Sequence, residues 1–260
     1  MNKATSRNKR MCGAVKWAFL FFSANGVLAC QTSTAATSTA AQRQRVQSEM
    51  KALINSQLNA WHAAASELHR VAPAPSARGW DLRDDAAAIA AMKQAWQKGR
   101  DAYERVEGAV APLFPESDAA TDARYDDFLL RLGAVGDPTP FDGEGVIGMH
   151  AIERILWANS TPATVVEFER NLPGYRPARI PERSEEARLF REELVGRLIS
   201  DIERLRQEFT PLSLDAAFAF QGTIDLAMEQ VEKVDKAATG QEESRYAQST
   251  MRDLRNNYQG

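Results

Sequence analysis

The chain has 260 residues, is 44% apolar and 26% charged, and carries a formal net charge of −3 with only 2 cysteines. Beyond Cys30 there is no thiol, which excludes a cysteine nucleophile or a thiolate metal site from the remaining chain and leaves oxygen and imidazole as metal ligands. The acidic balance excludes nucleic acid and anionic membrane surfaces as natural partners.

The first element is a targeting segment. Lys3, Arg7, Lys9, Arg10 and Lys16 form a basic stretch without an acid, and an apolar run follows from Trp17 to Ala29, interrupted by Ser23, Asn25 and Gly26. The run is too short and too broken to span a bilayer and predicts a signal peptide over 1–29. Val27-Leu28-Ala29-Cys30 is similar to a bacterial lipobox, which makes Cys30 a lipidation site and the membrane anchor; Leu28 departs from the usual small residue, so ordinary cleavage after Ala29 stays open. Gln31 in place of an aspartate implies no retention at the inner membrane, hence a periplasmic protein held at the outer membrane. Losing the five basic residues of this segment moves the net charge to about −8. The small polar stretch 30–41 reads as a flexible tether, and 42–260 as the folded domain.

From there the chain reads as helix after helix. Val46, Met50, Leu53, Ile54, Leu58, Trp61 and Leu68 give helical spacing over 44–70, closed by Pro73 and Pro75. Asp84 or Asp85 opens a second helix to about 110, ended by Pro112. A third runs from Asp118 or Thr121 to 132. The stretch 133–148, rich in glycine and proline, is a long loop without the Gly-Lys-Ser/Thr of a phosphate cradle; a plain connection and a lining of a site are both open. A fourth helix carries His150 and ends near 159. Helices over 161–170, 184–209, 214–238 and 242–258 follow. No alternating strand pattern occurs, so the expected fold is all-α, built of up-and-down helical bundles.

His150 and Glu153 are three residues apart, so imidazole and carboxylate leave one helix face on neighbouring turns. That pairing on a rigid element is the start of a divalent-metal site, although a histidine merely satisfied within a helix pair gives the same pattern. Further ligands must come from other helices. Glu104 lies among apolar Trp96, Tyr103 and Val106, where an unpaired acid is costly; Glu107 shares the neighbourhood, and one of the two can face solvent. Asp122, Asp126 and Asp127 offer a third helix.

These residues carry a resemblance. Trp96, Gly99-Arg100-Asp101-Ala102-Tyr103-Glu104, Asp122-Ala123-Arg124, Gly148-Met149-His150-Ala151-Ile152-Glu153 with Leu156-Trp157, Glu243-Ser244-Arg245-Tyr246 and Asp253-Leu254 with Asn257 occur in the order of the imelysin-like family, over about 46–260. The resemblance is strongest to the EfeO/EfeM-type periplasmic proteins of bacterial iron uptake. It implies paired four-helix bundles with a metal site between helices, and His150, Glu153, Glu104 and Asp122 as the ligand set. It implies a metal ion, iron above others, as cargo, and a membrane permease as partner. The 133–145 loop is longer than in such relatives, and the chain stops soon after Asn257, which suggests a shortened second half without a cupredoxin-like domain.

A non-enzymatic metal carrier is therefore the leading expectation. Three carboxylates and one imidazole suit iron or manganese better than copper(I), and the missing sulfur argues against zinc. A metallopeptidase is the alternative that the family's classification raises, but the chain lacks His-Glu-x-x-His, and His62 and His69 lie on the first helix. A metal-bridged acidic-polysaccharide binder is the other, with Arg100, Arg124 and Arg154 able to meet carboxylates; those arginines equally suit internal ion pairs.

Overall fold

A computed structural model describes residues 28–260 apart from Pro75 and Ala238. The expected signal peptide lies, up to residue 27, outside the described residues, as does the side chain of Cys30. Among the described residues the fold is helical without strands, and no helix is long and apolar enough to cross a membrane.

Helix α1 spans Leu28–Val71, so the backbone of the polar stretch read as a tether is helical. The compact unit that carries everything below is Gln44–Gly260. Within it, α1 buries Ile54, Leu58, Trp61, Ala65 and Leu68 at helical spacing, the stripe that the sequence shows. Helix α2, Ala86–Glu104, buries Met92, Trp96, Tyr103 and Glu104. Trp61 packs on Tyr103 with ring centroids 4.8 Å apart, and the Trp96 indole N–H donates to the Met149 carbonyl at 2.8 Å. That bond ties α2 to the His150 helix with no buried polar atom left over on the indole.

Two expected helices are each broken in two. The second gives way at Arg105 and Val106, and α3 resumes over Glu107–Leu113. The third becomes α4, Pro115–Thr121, and α5, Tyr125–Leu132, with Asp122 closing α4 at φ −127°. Helix α6, Gly148–Leu156, is buried along its whole length. Then come α7, Ala163–Glu169, and a continuous helical run: α8, Ser184–Leu189, a π-helical turn over Phe190–Val195, and α9, Gly196–Phe209. The π turn directs Phe190, Leu194 and Val195 into the core.

Helix α10 is Ala216–Ala237 and α11 is Thr250–Gln259. The helix expected over 242–258 thus begins only at Thr250; 239–249 is irregular, turning at Gly240 with φ 71°. A single apolar cluster runs from Ile54 to Phe209, its buried members drawn from α1, α2, α3, α5, α6, α8, the π turn and α9 and from the loops between them. No apolar side chain of α10 is buried among the described residues, and Phe220, Met228, Val231 and Val234 are exposed. What α10 and α11 bury is polar: Lys233, Asp253, Asn256 and Asn257. The last helices therefore dock through charge and hydrogen bonds that belong to the site, together with a close approach of Gly222 on α10 to Gly108 on α3.

The 133–148 loop packs inward. Phe141, Val146 and Ile147 are buried, and the Asp137 carboxylate accepts the amides of Thr139 and Val146 at 3.0 and 3.1 Å. Gly148 ends it at φ 83°, where a Cβ would meet the Thr121 carbonyl oxygen at 2.6 Å. Only glycine suits that conformation and that approach, which sets the start of α6 against the end of α4 and brings His150 beside Asp122.

Candidate metal centre

His150 is 1% exposed. Its Nδ1 lies 2.8 Å from Glu153 Oε2, and its Nε2 lies 3.4 Å from Asp122 Oδ1 without a hydrogen-bond partner. Burial depresses the imidazole's pKa, favouring the neutral ring. The other Glu153 oxygen accepts two backbone amides, from Tyr246 at 3.0 Å and Ala247 at 2.7 Å. Burial raises the Glu153 pKa, while the His150 hydrogen bond and the Ala247 amide work against it and favour the carboxylate form. Nδ1–H then donates to Glu153, and the Nε2 lone pair points at the acids.

The ligand atoms of Asp122, His150 and Glu243 all lie within 4.8 Å of one another, as do those of Glu104, Glu107 and Glu243. The structure so brings His150 and Asp122 together, and links Glu104 to them through Glu243 and Arg100. Glu153, expected as a ligand, has both oxygens taken: one orients the ring and the other clamps the 239–249 segment. Glu243 is the third member of the close group around His150. It was visible in the Glu243-Ser244-Arg245-Tyr246 block, but a helix over 242–258 gave no reason to turn it inward. Its segment is fixed by Glu153, by Arg245 on Asp126 at 2.7 Å, and by the Tyr246 hydroxyl on Glu169.

Two cations stand inside this cluster. Arg100 contacts Glu104, Asp122 and Glu243, the last at 2.8 Å, and its Nε lies 3.8 Å from Asp253. Lys233 Nζ lies 3.2 Å from Glu104, 2.9 Å from Glu107, and 3.2 Å from both Glu229 and Glu243. Against these two charges stand six carboxylates: Glu104, Glu107, Asp122, Glu229, Glu243 and Asp253. Fully ionised, the cluster would hold a large buried negative excess, which proteins relieve with protons or bound cations. Burial pushes Glu104 and Asp122 well above the usual carboxylate range, Asp253 up to about 6 and Glu229 to about 9. Asp118, which accepts the Tyr103 hydroxyl, is pushed up to about 7 by burial and by Asp122. Glu243 goes the other way: Lys233 and Arg100 outweigh its burial and hold it well below its ordinary value.

Arg124 and Arg154, the other arginines near the site, also pair with acids of the chain. Arg124 reaches Asp127 at 3.3 Å, and Arg154 reaches Glu169 at 3.1 Å while stacking on Tyr125. His62 and His69 are partly exposed on α1, facing Glu203 and Glu192 at 3.7 and 3.4 Å. A cleft of about 420 Å³ leads to the cluster, with Asp118, Asp122, Glu229, Lys233 and Glu243 among its walls.

The fold and the site define an all-α protein with a buried imidazole among carboxylates, two of which, Asp122 and Glu243, line an acidic cleft. The chain belongs to the imelysin family: the family model described as Imelysin (Peptidase_M75) matches residues 31–260. No curated protein matches the chain.

Proposed function

We propose that this is an EfeO/EfeM-type periplasmic lipoprotein that captures a metal ion, iron before others, and delivers it to a membrane permease. The observation that carries the reading is the His150 Nε2 atom, buried, unpaired and within ligand distance of Asp122 and Glu243. A lone pair in that setting, held by a carboxylate on the opposite ring nitrogen, suits a cation and little else. Asp122, His150 and Glu243 bind; Glu153 orients the ring; Glu104 and Arg100 balance charge. The oxygen-rich set favours iron or manganese over copper(I). Capture exchanges protons held by the raised carboxylates for the ion, so binding releases protons. Lipidation at Cys30 would keep the carrier at the outer membrane, facing the periplasm.

Peptidase chemistry finds less support. A metallohydrolase needs an open coordination position and a general base, and Glu153, the acid beside the histidine, is committed to the ring and to two amides.

Anaerobic calorimetry with iron(II) on the full chain, His150→Ala and Glu243→Gln tests the reading. Tight binding by the parent, weakened at least about a hundredfold in both folded variants, is the expected result. A folded parent protein that takes up neither iron nor manganese would overturn it.

A further inference from the structure

Lys233 is the only lysine among the buried described residues, and its surroundings are unusual for one. An ammonium has three donors. Here Nζ lies within hydrogen-bonding distance of Glu104, Glu107, Glu243 and Asn257, the last at 3.3 Å, and 3.2 Å from Glu229. Those five oxygens come from α2, α3, α10, the 239–249 segment and α11. More oxygens than donors, arriving from every side, is the shell of a cation rather than a set of directed hydrogen bonds. Burial opposes the charge, but Glu107, Glu104 and Glu243 outweigh it and keep the group an ammonium.

Three of its partners, Glu104, Glu107 and Glu243, form the second group of mutually close ligand atoms, and Glu243 belongs to the His150 group as well. The ammonium therefore touches a carboxylate that a metal ion at His150 would also use. Helix α10 presents it at this depth through a close backbone approach: Gly222 packs against the carbonyl of Gly108 on α3, where a side chain would not fit.

We propose that Lys233 is a tethered counter-cation that competes with the metal ion for Glu243, stabilising the metal-free centre and weakening capture so that the ion can be released. The inference rests on the metal-binding reading above. It differs in sign from a purely structural role. A lysine that only braces the fold would, when removed, weaken both the protein and its site. A competing cation would, when removed, weaken the metal-free protein and tighten the site, because like charges at contact distance repel by several-fold to many-fold in affinity even when partly screened.

Manganese(II) is the probe, titrated calorimetrically into the full chain, Lys233→Met, Lys233→Gln and the exposed control Lys98→Met, alongside metal-free melting curves. Both Lys233 variants are expected to melt lower without metal and to bind manganese at least about tenfold tighter; Lys98→Met should change neither. Folded Lys233 variants with unchanged or weaker manganese affinity would overturn the proposal. His150→Gln in the same series separates the two claims. If it keeps parental affinity, the metal centre itself is misplaced. If it loses binding while the Lys233 variants gain none, only the role of Lys233 falls.

Discussion

Glu153 shows how one carboxylate can hold a site without entering it. It fixes the His150 tautomer with one oxygen and the amides of Tyr246 and Ala247 with the other. Glu153→Gln keeps the shape but can present an amide N–H to Nδ1 in place of an acceptor, so the lone pair would shift from Nε2. Manganese affinity should drop about 10- to 100-fold with the helical content unchanged; an unaltered affinity would show that the ring needs no such orienter. Arg100 carries more of the fold, since it is the cation shared by Glu104, Asp122 and Glu243. Arg100→Met should destabilise the metal-free protein by about 3–5 kcal/mol in denaturant melts, and bound manganese should recover part of the loss. A variant as stable as the parent would mean the acids are already neutral without it.

At the level of elements, the centre lies where helices stop. Glu104 ends α2, Glu107 begins α3, Asp122 closes α4, and Glu243 sits in the irregular stretch before α11. Sequence periodicity reads through such breaks, because the apolar spacing resumes in phase on the far side; 84–110 looked like one helix for that reason. The His150 helix was legible because its glycine, histidine and acid are local to one element. Glu243 and Lys233 were not, since their role comes from contacts with Arg100 and Glu104, more than a hundred residues away in sequence. Gly148 is the joint in this arrangement. Gly148→Val should cost about 2–4 kcal/mol, as both the positive φ and the Thr121 carbonyl oppose a side chain, and it should weaken metal binding by parting His150 from Asp122. Retained stability would contradict the tight α4–α6 joint.

For the molecule as a whole, the apolar core is built mainly from α1, α2, α3, α5, α6, α8 and α9, while what α10 and α11 bury belongs to the charged cluster. Hydrogen exchange should therefore be faster in α10 than in α2 or α9, and metal should slow it in α10 and 239–249; equal protection in all three helices without metal would contradict this. The same cluster sets an unusual pH response. Asp253, Asp118 and Glu229 have folded values of about 6, 7 and 9, above the ordinary carboxylate range. Between about pH 4 and those values the folded state binds more protons than the unfolded one, so the stability they contribute is present at low pH and lost as pH rises. Glu243, held low, acts oppositely in the acid range only. The metal-free protein should melt several degrees lower at about pH 8 than at about pH 5.5, and saturating manganese should reduce or invert that difference. A metal-free protein that is more stable at the higher pH would contradict a proton-filled cage.

The central claim is that an ion sits on the buried Nε2 of His150. Pulsed electron paramagnetic resonance of the manganese(II)-loaded full chain, with histidine labelled by nitrogen-15, tests it most directly. One coupled imidazole nitrogen, absent in His150→Gln, is the predicted result. No coupled nitrogen, or a coupling that persists in His150→Gln, would place the ion elsewhere and contradict the account.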